Sequence, residues 1–337
     1  LVEAVGGEYL AIIDEQYSDP KAGEIVAESE LSPDAWDRFV DSAHRIADTA
    51  PEPVLPDAVA LARASEAGMP PLQLASLAGD AAFAALRQHI ADAMGEPPAG
   101  EAAWLEPARE AARQAANLDP AKVDAALDAI AANVVPPEQI AAHVLVAAAA
   151  QVHLTRMAAR LDPGTLQPIA DGVCPACGGP PLASAVVGRQ LAHNARYCTC
   201  ALCATEWNVV RVKCVKCSGT GGITYVSLDD GNAPPPPATE REQRRAKFDD
   251  DVTPAETIKG ETCDTCRAYL KILYQVKNPN LEPLADDTAS LALDIKLAEA
   301  GWQRIGRNPF LIGQGAAMPD DDAAASTDGA EEGPRHG

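Results

Sequence analysis

Nine cysteines lie between Cys174 and Cys266, and none precedes them. Eight form four Cys-x-x-Cys pairs: Cys174/Cys177, Cys200/Cys203, Cys214/Cys217 and Cys263/Cys266. Such a turn places two thiolates on one side of a tight loop, with backbone amides aimed at the sulfurs. Two loops then supply the four ligands of a tetrahedral site. Four pairs predict two four-sulfur sites, and zinc and iron both accept that geometry. Sequential pairing, first with second and third with fourth, gives two local modules of similar design; cross-braced pairing is the alternative. A disulfide framework suits a small secreted domain, and the odd cysteine count argues against it. A thioredoxin-like redox pair needs one such turn after a strand in a βαβ unit, not four. The ninth, Cys198, stands two residues before Cys200. It is read as a buried inert thiol, or as an alternative ligand. Neither predicted site shows an open coordination position, which argues against Lewis-acid catalysis and against an enzyme.

Short elements must hold these loops in place. Alternating runs at 182–189, 207–212, 223–228 and 269–274 read as strands. Knuckle, hairpin, knuckle is the build of rubredoxins and zinc ribbons. Four thiolates on a divalent ion leave a net charge of about −2. Arg211, Lys213, Lys216 and Arg267 flank the knuckles and are read as compensating that charge, or as solvated strand-face cations.

The first half reads as helices: 74–95, 101–117, one opening at Asp119-Pro120, and one from Pro137 to about Leu161. His44, His89, His143 and His153 pair with no cysteine and read as core or surface histidines. Residues 231–256 read as an exposed Pro-rich insert. A helix is expected after Leu281, with Leu284, Leu291, Ile295 and Ala298 as its apolar stripe and Gly301 as its stop. Asp286 and Asp287 suit its positive N-terminal end. Asp287, Ser290 and Asp294 share one face, which as pattern alone reads as solvated. The tail from 313 has almost no large apolar residues and is expected to be disordered.

The fold class is therefore α+β multidomain. An all-α N-terminal domain (1–165) precedes two rubredoxin-like or zinc-ribbon-like four-cysteine modules (166–212 and 213–280). A C-terminal helix and segment (281–312) and the tail (313–337) follow. The formal charge of −22 argues against nucleic acid and anionic lipid as partners. Residues 140–155 approach the length of a membrane span, but His143, Gln151 and His153 interrupt them, so a buried helix is expected. The first residues carry early acids and no basic region, unlike a secretory signal.

The stretches CPACGGPP, RYCTCALCATEWNVVRVKCVKC, CDTCRAYLKILYQ and ADDTASLALD, followed by NPF at 308–310, resemble the formate dehydrogenase accessory protein FdhE family. The likeness covers about 160–315. It implies a cytoplasmic maturation factor that contacts the catalytic subunit of a respiratory formate dehydrogenase. It further implies two bound ions, iron or zinc, with Cys174, Cys177, Cys200, Cys203, Cys214, Cys217, Cys263 and Cys266 as ligands. It points to Asp286, Asp287, Ser290 and Asp294 as a partner-binding surface. A monomer or weak homodimer is expected. Rubredoxin-like electron transfer to an immature partner is the alternative function, and a zinc-ribbon nucleic-acid binder the third.

Overall fold

The computed structural model describes residues 49–95, 106–132, 134–189, 192–228, 257–306 and 308–311. His44, the insert 231–256 and the tail 313–337 lie outside the described residues.

The N-terminal half is helical: α1 Ala58–Glu66, α2 Ala81–Gly95, α3 Glu106–Ala116, α4 Pro120–Ala132 and α5 Ile140–Ala158. The expected single helix over 74–95 is divided. Residues Leu74–Gly79 form a 3-10 turn, and Asp80 then starts α2 by accepting from the backbone N–H groups of Ala82 and Phe83. An acid that caps orphan amides outcompetes continuation of the helix. α5 is the central helix, burying Val146, Ala150, Leu154 and Met157. Alanines along it let its neighbours approach closely. Pro137–Ala158 is long and apolar enough to cross a membrane by length and composition alone, and half of its most apolar stretch is buried within the protein.

The second half is one continuous sheet that carries both four-cysteine modules. Its strands are β1 Pro181–Val186, β2 Arg196–Cys200, β3 Glu206–Val209, β4 Ile223–Val226, β5 Ile258–Cys263, β6 Ala268–Leu273 and β7 Gln303–Arg304. The order is β3-β2-β1-β6-β5-β4, with β7 beside β6. Within β1–β3 and within β4–β6 neighbours are antiparallel. The two triplets repeat one design: a knuckle, a strand, then a hairpin that carries the second knuckle. They join where β1 runs parallel to β6, Ser184 opposite Ile272 and Ala185 opposite Leu273. Both central strands are buried along their whole length, and fusing the triplets removes two exposed edges.

Two short helices, α6 Pro283–Ala289 and α7 Leu291–Glu299, cover one face. The expected apolar stripe has the wrong phase. Ile295 is 55% exposed, while Leu293 and Leu297 pack under the sheet with Tyr269 and Leu273. The interruption at Ser290 shifts the phase between α6 and α7. Gly301 takes φ +78° after the last turn, as a helix stop requires.

Candidate metal centres

The structure brings the eight paired cysteines into two groups, Cys174/Cys177/Cys200/Cys203 and Cys214/Cys217/Cys263/Cys266, each with its sulfurs within 4.8 Å of one another. All nine cysteines are free. In the first group Cys174 Sγ lies 3.6 Å from Cys203 Sγ and Cys177 Sγ 3.4 Å from Cys200 Sγ. In the second, the Cys214–Cys266 and Cys217–Cys263 pairs are each 3.6 Å apart. Four sulfurs at about 2.3 Å from a tetrahedral ion sit about 3.8 Å apart, so both groups fit an ion and neither fits an S–S bond of about 2.05 Å.

The backbone repeats itself at each knuckle. Residue i+4 donates its N–H to the first cysteine's carbonyl at 2.9 Å in three of them: Gly178 to Cys174, Ser218 to Cys214 and Arg267 to Cys263. The first cysteine's N–H reaches residue i+5: Cys174 to Gly179, Cys214 to Gly219, and Cys200 to Thr205. All four residues that follow the knuckles have positive φ: Gly178, Ala204, Ser218 and Arg267. Three of these are not glycine, so the turn is held against a local cost. Gly179 supplies room as well. A Cβ there would lie 3.1 Å from Cys200 Sγ and 3.3 Å from Cys177 Sγ. The cradle is cut to the size of its sulfurs.

Crowded thiols hold one another's protons. Hydrogen bonding from Cys177 and its neighbours draws Cys174 far below the ordinary thiol range. Its own bond to Cys174 pushes Cys177 up, and burial pushes Cys200 up. In the second group burial pushes Cys214 up to about 12. Cys263 falls to about 7 because its burial is outweighed by the amides of Cys266 and Thr265 and the thiols of Cys217 and Cys214. Four sulfurs this close suit a cation among them, since metal binding releases thiol protons. Cys198 is fully buried against Val209, Val215 and Leu270, with its thiol pushed up to about 12 by burial. It stands outside both groups.

The flanking cations do other work. Lys213 pairs with Asp171 at 2.6 Å. Arg211 donates to Asn194 O. The Arg267 guanidinium stacks 3.8 Å over Trp302. Lys216 is exposed beside its knuckle, as are Arg211 and Arg267. His143 and His153 are core histidines, the latter bonded to Asp80 at 3.1 Å; His89 bonds Thr49.

The acidic group after Leu281 faces inward, which corrects the solvated face expected from its spacing. Asp287 is 0% exposed, and Ser290 and Asp294 are buried too. Lys271, fully buried on β6, reaches Asp287 Oδ1 at 3.2 Å, Asp294 Oδ2 at 2.5 Å and Ser290 Oγ at 3.0 Å. Arg304 of β7 pairs with both aspartates, and Tyr269 donates to Asp294 at 2.8 Å. Asp286 accepts from Glu282 N while Glu282 accepts from Ala285 N, a reciprocal cap at the start of α6. These side chains fasten α6 and α7 to the sheet, and only Asp286 keeps partial exposure among the three acids. A second buried pair was not foreseen. Arg196 Nη2 lies 2.9 Å from Glu261 Oε1, joining the two triplets from β2 to β5. Its signal in the sequence was a charge at an inward position of each strand.

Comparison with known proteins places this architecture. Residues 38–171 match the family described as FdhE, N-terminal, 173–211 match FdhE, central domain, and 212–311 match FdhE, C-terminal domain. The Protein FdhE homolog of Rhizobium meliloti is 40% identical over 266 residues, 78% of this chain and 77% of that one. Protein FdhE of Escherichia coli is 43% identical over 140 residues, 41% of this chain and 37% of that one. The crystal structure of the FdhE protein from Pseudomonas aeruginosa superposes with a TM-score of 0.62 at 30% identity, covering 82% of this chain and 88% of that one. With all three parts matched in order around two sulfur quartets, this chain belongs to the FdhE family.

Proposed function

We propose that this chain is a cytoplasmic, non-enzymatic accessory factor that binds the catalytic subunit of a respiratory formate dehydrogenase during its maturation. The observation that carries this reading is a complete three-part family match built around two intact cysteine quartets. Each quartet holds one ion, iron or zinc, through Cys174, Cys177, Cys200 and Cys203, and through Cys214, Cys217, Cys263 and Cys266. The ions supply rigidity: each locks two loops that the sheet alone leaves at its ends. A rigid surface is what recognition of a partly assembled client requires.

The test is co-purification of the tagged chain with the catalytic subunit, alongside formate oxidation in a host lacking the chain. Recovery of the subunit, and loss of formate oxidation without the chain, is expected. Recovery of nothing, with formate oxidation intact in the deleted host, overturns the reading. Asp287 and Asp294 are poor probes of the contact, because their substitution disturbs the buried network first. Asp286, partly exposed, is the better one.

One observation favours a second reading, one-electron transfer: Cys217 reaches solvent. It requires iron, a coloured preparation and reversible bleaching on reduction. A colourless chain carrying zinc at both quartets removes it.

A further inference from the structure

The two quartets differ in what covers them. All four cysteines of the first are buried. The helical half closes over them: Leu72 N donates to Ala176 O and Gln151 Nε2 to Ala201 O, each at 2.9 Å. Pro70 lies against Gly178, where an added Cβ would meet it at 3.0 Å. Cys174, Cys177, Cys200 and Cys203 belong to the same apolar core as Leu77, Val146 and Leu154.

The second quartet has an open side. Cys217 is exposed and Cys266 half-buried. Lys216, Ser218 and Thr220 beside it are exposed, and a Cβ on Gly221 would meet nothing within 4 Å. The bonds that tie the third knuckle to other elements precede its first sulfur; past Cys217 it is closed by its own turn, Ser218 N to Cys214 O and Cys214 N to Gly219 O. Lys213 pairs with Asp171, and Arg196 Nη1 donates to Arg211 O and Lys213 O. Past Cys217, Gly222 O accepts from Asp264 N at 3.0 Å, where β4 begins. Residues 217–221 can therefore lift by breaking two turn bonds, with no sheet bond lost. To open the first quartet, a helical domain must undock.

We propose that the second centre is the exchangeable one, with Cys217 as its entry sulfur, while the first is a closed structural centre. This rests on the reading that both quartets bind ions. With a divalent ion bound, an incoming thiolate would replace Cys217 as its ligand; Cys217 would depart as a thiolate and take a proton from water, with no change of oxidation state. The matching partner is a protein or small molecule that offers a thiolate to a soft divalent ion. Local opening sets the rate, and the two sites differ in how much structure must open.

The experiment uses the full chain loaded anaerobically with zinc. Pyridylazoresorcinol reads zinc release, and mass spectrometry maps N-ethylmaleimide labelling. The expected result is release in two phases separated by at least about tenfold, which corresponds to ~1.4 kcal/mol of extra opening free energy at the first site. Cys217 and then Cys266 should be labelled ahead of Cys174, Cys177, Cys200 and Cys203. Cys217→Ser should quicken the fast phase alone, and Gln151→Leu the slow phase alone. A single phase, or earlier labelling of the first quartet, overturns the proposal and leaves the binding of two ions standing. A chain that takes up no zinc overturns both. The labelling order is read on the unaltered chain, so a variant that fails to fold does not blunt the test.

Discussion

Ala204, Ser218 and Arg267 take a backbone conformation that suits glycine, each directly after a cysteine pair. Only Gly178, after the first pair, is the residue that sterics favour. Replacing Ala204, at φ 55°, with glycine should relieve that cost. Ala204→Gly is expected to raise stability by about 0.5–1 kcal/mol, the Cβ penalty less the extra freedom of an unfolded glycine. Denaturant unfolding of the metal-loaded chain measures it, and a loss of stability would show that the turn is not strained. A second residue-scale expectation concerns Tyr225, whose hydroxyl donates to Glu261 at 3.1 Å. Partial burial first, with Tyr225 still 36% exposed, then the Glu261 charge pushes its phenol from the ordinary 10.0 up to about 12. The neutral phenol is favoured in the fold, so its contribution is complete below pH 10 and is lost as pH rises toward 12. Tyr225→Phe should cost about 1 kcal/mol near pH 8, the worth of one hydrogen bond, and should flatten the fall in stability between pH 10 and 12. Burial pushes Tyr269 up in the same direction, so the comparison is between variant and parent. Equal alkaline slopes for the two proteins would refute the assignment.

At the scale of elements, α6 and α7 are held by charge as much as by apolar contact. Lys271 is fully buried on β6, and its ammonium meets Asp287, Asp294 and the Ser290 hydroxyl. Removing Lys271 leaves Arg304 alone between two buried aspartates, one charge uncompensated, at about 3–5 kcal/mol. Lys271→Met should therefore destabilise the chain by that amount in urea unfolding. Adding Asp294→Asn should cost far less than its own single effect, because the stranded charge has gone. Strict additivity of the two changes would mean that Lys271 and Asp294 do not interact. This network also marks where the sequence stops being legible. The cysteine pairs announce their sites because each knuckle is local, with both sulfurs and the shaping residues inside six positions. The strands at 182–189, 207–212, 223–228 and 269–274 are legible by alternation, and all four are present, three of them shorter and the last shifted by one residue. β2 and β5 were not picked out, since Arg196 and Glu261 sit at inward positions and break the apolar pattern. The face of Asp287, Ser290 and Asp294 is polar in sequence and buried in the fold, for a partner that lies on another element. Spacing along one helix reports which side chains share a face. It does not report what the face meets.

The whole molecule turns on where its cores lie. The first quartet belongs to the apolar core of the helices: Leu77, Val146 and Leu154 sit in one cluster with Cys174, Cys177, Cys200 and Cys203. The sheet and α6–α7 form a separate core around Leu182, Leu273 and Leu293. The boundary of cooperative structure thus falls within the cysteine-bearing half, between the first quartet and the sheet face, and not between helices and metal modules. An ion at the first quartet is then part of what stabilises α5 and the 3-10 turn at Leu74–Gly79. Structural zinc sites contribute on the order of 10 kcal/mol to the loops that they close. The share reaching the helices passes through Leu72, Gln151 and Pro70. Anaerobic removal of metal under reducing conditions should lower the midpoint of helix melting, followed by circular dichroism at 222 nm. A share of ~2 kcal/mol gives a fall of about 3 °C for a chain this size. Filling the second quartet alone, in a chain carrying Cys174→Ser and Cys177→Ser, should not restore the midpoint. If the helices melt at the same temperature with and without metal, the first quartet is not a member of their core and the shared boundary is wrong.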